Sequence, residues 1–144
     1  MPTVRDILAR KGTSVVTVTP DSTVLAAAQL MNTKGIGAVL VVEGSELRGI
    51  FTERDVMRRV VAEERPPATT VVGDVMSTGL VTAKPETTMD ECAAMMTARR
   101  IRHLPVLGPD GLAGVVTIGD LTAFQVADQA ATIAHLNSYV YENR

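Results

Sequence analysis

The stretch Gly114-Val115-Val116-Thr117-Ile118-Gly119-Asp120 decides how the chain is read. A small residue and two valines lead into a Thr, and an Asp follows that Thr by three positions. A β-branched run ending this way predicts a buried strand that stops at Thr117, where a helix begins. The same order stands earlier, in Gly49-Ile50-Phe51-Thr52-Glu53-Arg54-Asp55. Working outward from the two corners uncovers an internal duplication, the first feature to seek in a chain of this length. An offset of 65 (117 − 52) aligns Val16–Val56 with Val81–Leu121 without a gap. Identities include Thr17/Thr82, Pro20/Pro85, Thr23/Thr88, Met31/Met96, Ile36/Ile101, Gly49/Gly114 and Asp55/Asp120. Further out, Val4-Arg5-Asp6-Ile7 matches Val72-Gly73-Asp74-Val75 at an offset of 68 (72 − 4). The first copy therefore holds three extra residues (68 − 65) near Lys11–Ser14.

Local signals fill in each copy. Thr3 caps a short helix to about Arg10, with Asp6 three positions on. Val15–Thr19 reads as a strand, Pro20-Asp21-Ser22 as a turn, and Thr23–Lys34 as a helix stopped by Gly35. Gly37–Val42 and Leu47–Phe51 form a hairpin around Glu43-Gly44-Ser45, and Thr52 opens a helix to about Glu64. Arg65-Pro66-Pro67-Ala68-Thr69-Thr70 reads as a linker, because two prolines end the helix and lack backbone donors. The cycle then repeats. A short helix covers Val72–Met76, a strand Leu80–Ala83, and a helix Thr88–Arg100. The second hairpin, Leu104–Leu107 with Leu112–Thr117, turns at Gly108-Pro109-Asp110-Gly111. From about Gly119 the tail keeps apolar residues at helical spacing (Leu121, Phe124, Ala127, Ala130, Ile133, Leu136, Val140), with Tyr139 and Tyr141 near its end. It predicts a helix of roughly 20 residues, whole or broken, longer than its own domain needs.

These elements predict an α+β fold of tandem β-α-β-β-α repeats. Residues 1–64 form the first repeat, 65–71 the linker and 72–144 the second repeat with its extended C-terminal helix. Each unit has a bare sheet face, so the two pack sheet to sheet about a pseudo-twofold axis, leaving two equivalent clefts.

Composition narrows the function. The 144 residues are 46% hydrophobic but only 3% aromatic, with a formal net charge of −2. That supplies an aliphatic core and argues against nucleic-acid binding, which calls for a basic stripe or stacking platforms. Apolar runs such as Gly35–Val42 are far shorter than the ~20 residues of a membrane span, and no signal-peptide pattern opens the chain. A single Cys permits no internal disulfide and suits a reducing cytoplasm.

The repeated hairpin, the Gly-x-x-Thr-x-x-Asp corner and the proline turn resemble the cystathionine-β-synthase (CBS) domain. Ile101-Arg102-His103-Leu104-Pro105-Val106 and Thr117-Ile118-Gly119-Asp120-Leu121 are especially similar to it, and the two copies resemble a stand-alone CBS pair of bacterial type. The resemblance implies a non-enzymatic regulatory module, and the single Cys with no signal-peptide pattern leads to the expectation of a cytoplasmic one. Its clefts would bind AMP, ADP, ATP or NAD, with S-adenosylmethionine in the same ligand class. It would act as a homodimer and signal to a downstream protein partner.

The same resemblance assigns site residues. Asp55 and Asp120 would receive the ribose hydroxyls, which suits an ionised carboxylate because it only accepts. Thr52 and Thr117 would touch phosphate or ribose at a helix start, where free amides favour anions. Thr17, Val18 and Pro20, with Thr82, Ala83 and Pro85, would lie along the adenine. The hairpin entries differ: Ile36, Gly37 and Ala38 leave room, whereas Ile101, Arg102 and His103 are bulky and cationic. Arg102 offers a forked phosphate contact. Arg54 is a second phosphate candidate, and its counterpart is Gly119. The two sites are therefore expected to be unequal.

Plainer readings stand beside these. Thr-x-x-Asp is also a capping-box variant that needs no ligand. A Pro beside a short strand is also an ordinary edge. Arg102 and Arg54 also suit a solvated surface. A dimerisation module with vestigial clefts competes with the sensor, and a nucleotide-hydrolysing enzyme would require catalytic groups at spacings that are not evident. His103, His135 and Cys92 make no metal-ligand spacing. Cys92 sits mid-helix as a packed thiol, and the Met residues fill apolar helix positions.

Overall fold

A threonine precedes each of the five α-helices described. Four of them, Thr23, Thr52, Thr88 and Thr117, accept from the backbone amide three residues on, at 3.1–3.2 Å. At Thr3, the Asp6 carboxylate reaches back to the Thr amide at 2.9 Å. The computed structural model describes residues 1–142, and side-chain surroundings through Asn137. The order is α1 (Val4–Lys11), β1 (Thr17–Val18), α2 (Val24–Lys34), β2 (Ala38–Glu43) and β3 (Glu46–Thr52). Next comes α3, an α-turn Glu53–Asp55 that widens into a π-helix over Val56–Val61. After a 3₁₀ turn at Val72–Asp74 follow α4 (Met89–Arg99), β4 (His103–Gly108), β5 (Gly111–Thr117) and α5 (Ile118–Glu142). The α5 helix is unbroken over 25 residues. The side chains of Tyr139, Val140 and Tyr141 lie outside the described residues.

In the first repeat β1 runs parallel to β2, and β2 antiparallel to β3. The second repeat holds only the β4–β5 hairpin as a sheet. The strand expected over Leu80–Ala83 is reduced to a single parallel bridge, Ala83 to Val106. The reason is a proline. In the first repeat the Leu40 amide donates to the Val16 carbonyl at 3.1 Å. The residue at Leu40's place in the second copy is Pro105, which has no N–H to give. The first strand is also shorter than the expected Val15–Thr19.

Two hydrophobic cores form, and each borrows from the other half. Val24, Ala27, Val39, Val41, Phe51 and Val60 of the first repeat close over Val72 and Val75, which follow the linker. Met96, Leu104, Val106, Val116 and Leu121 of the second repeat close over Val4, Ile7 and Leu8 of α1. Backbone bonds fix the exchange at both ends. Val72 and Gly73 amides donate to Ser22 and Pro20 carbonyls, and Val4 and Arg5 amides to Thr87 and Pro85 carbonyls, at 2.7–2.8 Å. Two glycines let the exchanged segments approach. A Cβ on Gly49 would lie 2.7 Å from the Ser77 carbonyl oxygen and 2.8 Å from the Met76 sulfur. A Cβ on Gly114 would lie 2.9 Å from Leu8 Cδ2. The interlocking is therefore built from the entry segment of each copy lying on the other copy's hairpin.

Candidate functional site: the cleft at the first corner

The β3–α3 corner is held by a reciprocal cap. The Thr52 amide donates to Asp55 Oδ2 at 3.0 Å, and the Asp55 amide donates to Thr52 Oγ1 at 3.2 Å. Thr52 Oγ1 also donates to Oδ2 at 3.2 Å. The other oxygen, Oδ1, accepts from Ser77 Oγ at 2.9 Å and lies 3.6 Å from Arg59 Nε. Asp55 is 5% exposed. Its carboxylate borders the space in front of it but is already fully engaged there. A sugar diol would have to take over the place of the Ser77 hydroxyl.

That space is a cleft of ≈ 600 Å³ between the two repeats. One wall is Gly37, Ile50, Thr52, Glu53, Arg54, Asp55 and Met57; the other runs from Ser77 to Val81 and from Arg99 to His103, with Pro105. The size is in the range of small-ligand pockets, and Ile50, Leu80, Val81 and Ile101 supply an apolar lining. Four arginines, Arg54, Arg99, Arg100 and Arg102, stand around it with two acids, Glu53 and the capping Asp55. Arg54 Nη1 reaches the Arg100 carbonyl at 3.4 Å, tying the two walls. Arg100 ends α4 in the left-handed region at φ 54, where α2 ends on Gly35 at φ 65. A side chain there is strained, so a cation is held where glycine would sit more easily.

His103 opens β4 and lines the cleft. Burial pushes its imidazole below the usual value; Lys11 and Arg102 push the same way, against Glu53 and Asp120. The ring is therefore a neutral donor and acceptor at pH 7. Cys92, buried inside α4, has its thiol pushed up to about 11, chiefly by burial, and is inert packing.

Of the residues singled out from the sequence, Gly37, Thr52, Arg54, Asp55, Ile101, Arg102 and His103 meet in this cleft. The adenine-side assignments do not. Thr17 and Val18 pair with Leu40 and Val41 within the first sheet. The Pro20 and Pro85 carbonyls tie down the exchanged segments. Ala83 is buried in the second core, and neither it nor Thr82 reaches the cleft wall. Ile36 faces an adjoining groove with Ala28, Met31 and Val56 that meets the cleft at Gly37, Glu53 and Met57, and Ala38 pairs with Thr52 across β2 and β3. The wall expected from Thr82–Pro85 is instead the preceding run, Ser77–Val81.

The second corner repeats the first in its backbone. The Thr117 amide donates to Asp120 Oδ2 at 2.8 Å, and the Asp120 amide to Thr117 Oγ1 at 3.1 Å. Here, however, the Lys11 ammonium sits on Asp120 Oδ2 at 2.6 Å. Thr117, Gly119 and Asp120 line neither described cavity. The two corners thus differ: the first borders the cleft, and at the second the carboxylate is engaged by Lys11.

With this geometry in view, the likeness to known proteins is specific. The family model for the CBS domain matches twice, at residues 4–62 and 72–127. The YhcV protein of Bacillus subtilis, a CBS-domain protein, is 36% identical over 137 residues, covering 95% of each chain. The mitochondrial CBS-domain protein CBSX3 of Arabidopsis thaliana is 36% identical, covering 96% of this chain and 71% of its own. A solved CBS-domain structure from Burkholderia ambifaria, described as a candidate signal-transduction protein, superposes with a TM-score of 0.84 at 45% identity. It covers 88% of this chain and 96% of that one. The chain belongs to the CBS-domain family, as a tandem CBS pair, and its mixed α+β architecture is that of the family's regulatory modules.

Proposed function

We propose that the pair is a sensor for an adenosine-containing anion, AMP, ADP, ATP or NAD, bound in the cleft between the repeats at the Asp55 corner. The observation that carries this is the cleft's chemistry. An apolar lining suits a purine, a buried carboxylate with a displaceable hydroxyl partner suits a ribose, and four arginines suit phosphates. Arginine in that number favours a di- or triphosphate over AMP. S-adenosylmethionine, a cation at its sulfur, is the least suited of the class. Binding to both walls at once would set the angle between repeats, and so what a partner protein meets; the shift is limited to the ligand's preference between the two geometries.

We read the module as non-catalytic and regulatory. The one histidine of the cleft is neutral, and its one buried carboxylate is spent on capping. A reducing compartment fits the buried, unpaired Cys92. A homodimer is the second part of the proposal. On α5 the apolar side chains Val126, Ile133 and Leu136 are all more than half exposed, a face suited to a second copy. A cyanobacterial CBS-CP12 protein that superposes with a TM-score of 0.74 at 27% identity is hexameric. No helix among the described residues is long and apolar enough to cross a membrane.

A thermal-shift screen tests the reading. A ligand at 100 times its dissociation constant adds about 2.7 kcal/mol, and a chain of this size then melts roughly 8–10 °C higher. ATP, ADP or NAD is expected to give that shift. No shift with any of the five compounds rejects the sensor and leaves the interaction module.

A further inference from the structure

The two corners differ in one part. At the first, Ser77 supplies two donors: its amide to the Ile50 carbonyl at 2.8 Å and its hydroxyl to Asp55 Oδ1 at 2.9 Å. The equivalents in the second copy, at the offset of 65, are the Val115 carbonyl and Asp120. Both are taken by a single group. The Lys11 ammonium donates to the Val115 carbonyl at 2.8 Å and to Asp120 Oδ2 at 2.6 Å. Lys11 stands where the first copy has its three extra residues. In the second copy the chain leaves the 3₁₀ turn and pairs Ser77 with Ile50 as backbone. In the first copy α1 runs on to Lys11, and a long cationic side chain replaces that bridge. The end of α1 is steadied by Arg10, whose guanidinium lies 5.5 Å from the Phe124 ring on α5.

We infer that Lys11 is an internal lock that makes the pair one-sited, occupying the second corner with its own cation. This rests on the reading that the open cleft binds a nucleotide. Two features support it. The ammonium neutralises the carboxylate that would face a ribose and closes the strand carbonyl beside it. A neutral hydroxyl, as at Ser77, yields to a diol at small cost; a charge-assisted ammonium–carboxylate contact does not. The asymmetry between the repeats is therefore set by the length of the entry segment as well as by the hairpin residues.

Two measurements on the full chain test this. Alanine is a good helix former, so Lys11→Ala keeps α1. In calorimetric titration with ATP, the wild type is expected to bind one molecule per chain. Lys11→Ala is expected to bind two, and Lys11→Ala with Asp120→Ala one again. A wild type that binds two, or a Lys11→Ala chain that still binds one, overturns the lock and leaves the nucleotide reading standing. In acylation followed by mass spectrometry, Lys11 is expected to react at least several-fold more slowly than Lys34 and Lys84, and to lose that protection in Asp120→Ala. Equal rates overturn the lock whatever the titration gives. A wild type that binds no ATP sinks the nucleotide reading, and labelling alone then decides whether Lys11 fills the corner.

Discussion

Arg100 is the residue where fold and site pull apart. It closes α4 in the left-handed region, which costs a side-chain-bearing residue roughly 1 kcal/mol relative to Gly. Its place in the first copy is held by Gly35. Arg100→Gly is therefore expected to raise the stability measured by urea unfolding by up to about 1 kcal/mol, glycine's unfolded-state freedom offsetting part of the strain relieved, while weakening ATP binding several-fold in calorimetry. A change of the same sign in both would contradict its role at the cleft. His103 carries the pH dependence. Its imidazole is held below the usual value, so the folded state binds a proton less readily than the unfolded one. Stability from this group is present above about pH 6.5, the unfolded value, and is lost as pH falls through the lower folded value. Urea midpoints measured from pH 7.5 to 5 are expected to fall on the acid side, and His103→Gln is expected to flatten that fall. A bound polyphosphate would raise the imidazole's proton affinity, so ATP binding at pH 6 should take up protons and do so less in His103→Gln.

At the scale of the element, the corners were readable because they are local. A Thr leading an Asp by three positions announces a strand end and a capped helix whatever surrounds it, and both corners formed as read. The missing second-repeat strand was also written locally, in Pro105, but only pairing against Leu40 shows which amide is lost. What the sequence could not place was the part of the opposite wall that precedes α4. Ser77–Val81 carries no motif, and it becomes a wall only because the entry segment crosses to the other copy. Such contacts depend on topology, not on spacing. The same crossing gives a prediction about the two hairpin glycines. Gly49→Ala would press on a backbone carbonyl and is expected to cost about 1–3 kcal/mol. Gly114→Ala would press on the flexible end of Leu8 and is expected to change stability by no more than about 0.5 kcal/mol, because the loss of glycine's unfolded-state freedom offsets the crowding. Chemical denaturation of the two variants compares them directly; equal costs would mean that the exchanged segments give way alike.

At the scale of the molecule, the exchange makes the halves dependent on one another. Each core is completed by residues from the other copy, and the cleft lies where the exchanged segment after the linker meets the first corner. A ligand held there contacts the β3–α3 corner and the second hairpin together, so binding and the relative position of the repeats are one event. The duplication was legible as an architecture with two clefts. The engagement of the second corner by Lys11, a side chain reaching across the fold, is something no alignment of the two copies reveals. The most direct test of the cleft's role is the electron density of crystals grown with saturating ATP. The account predicts one nucleotide per chain at the Asp55 corner, its base between Ile50 and Val81 and its phosphates among Arg54, Arg100 and Arg102. Density confined to the Asp120 corner, or an empty cleft at saturation, would contradict it.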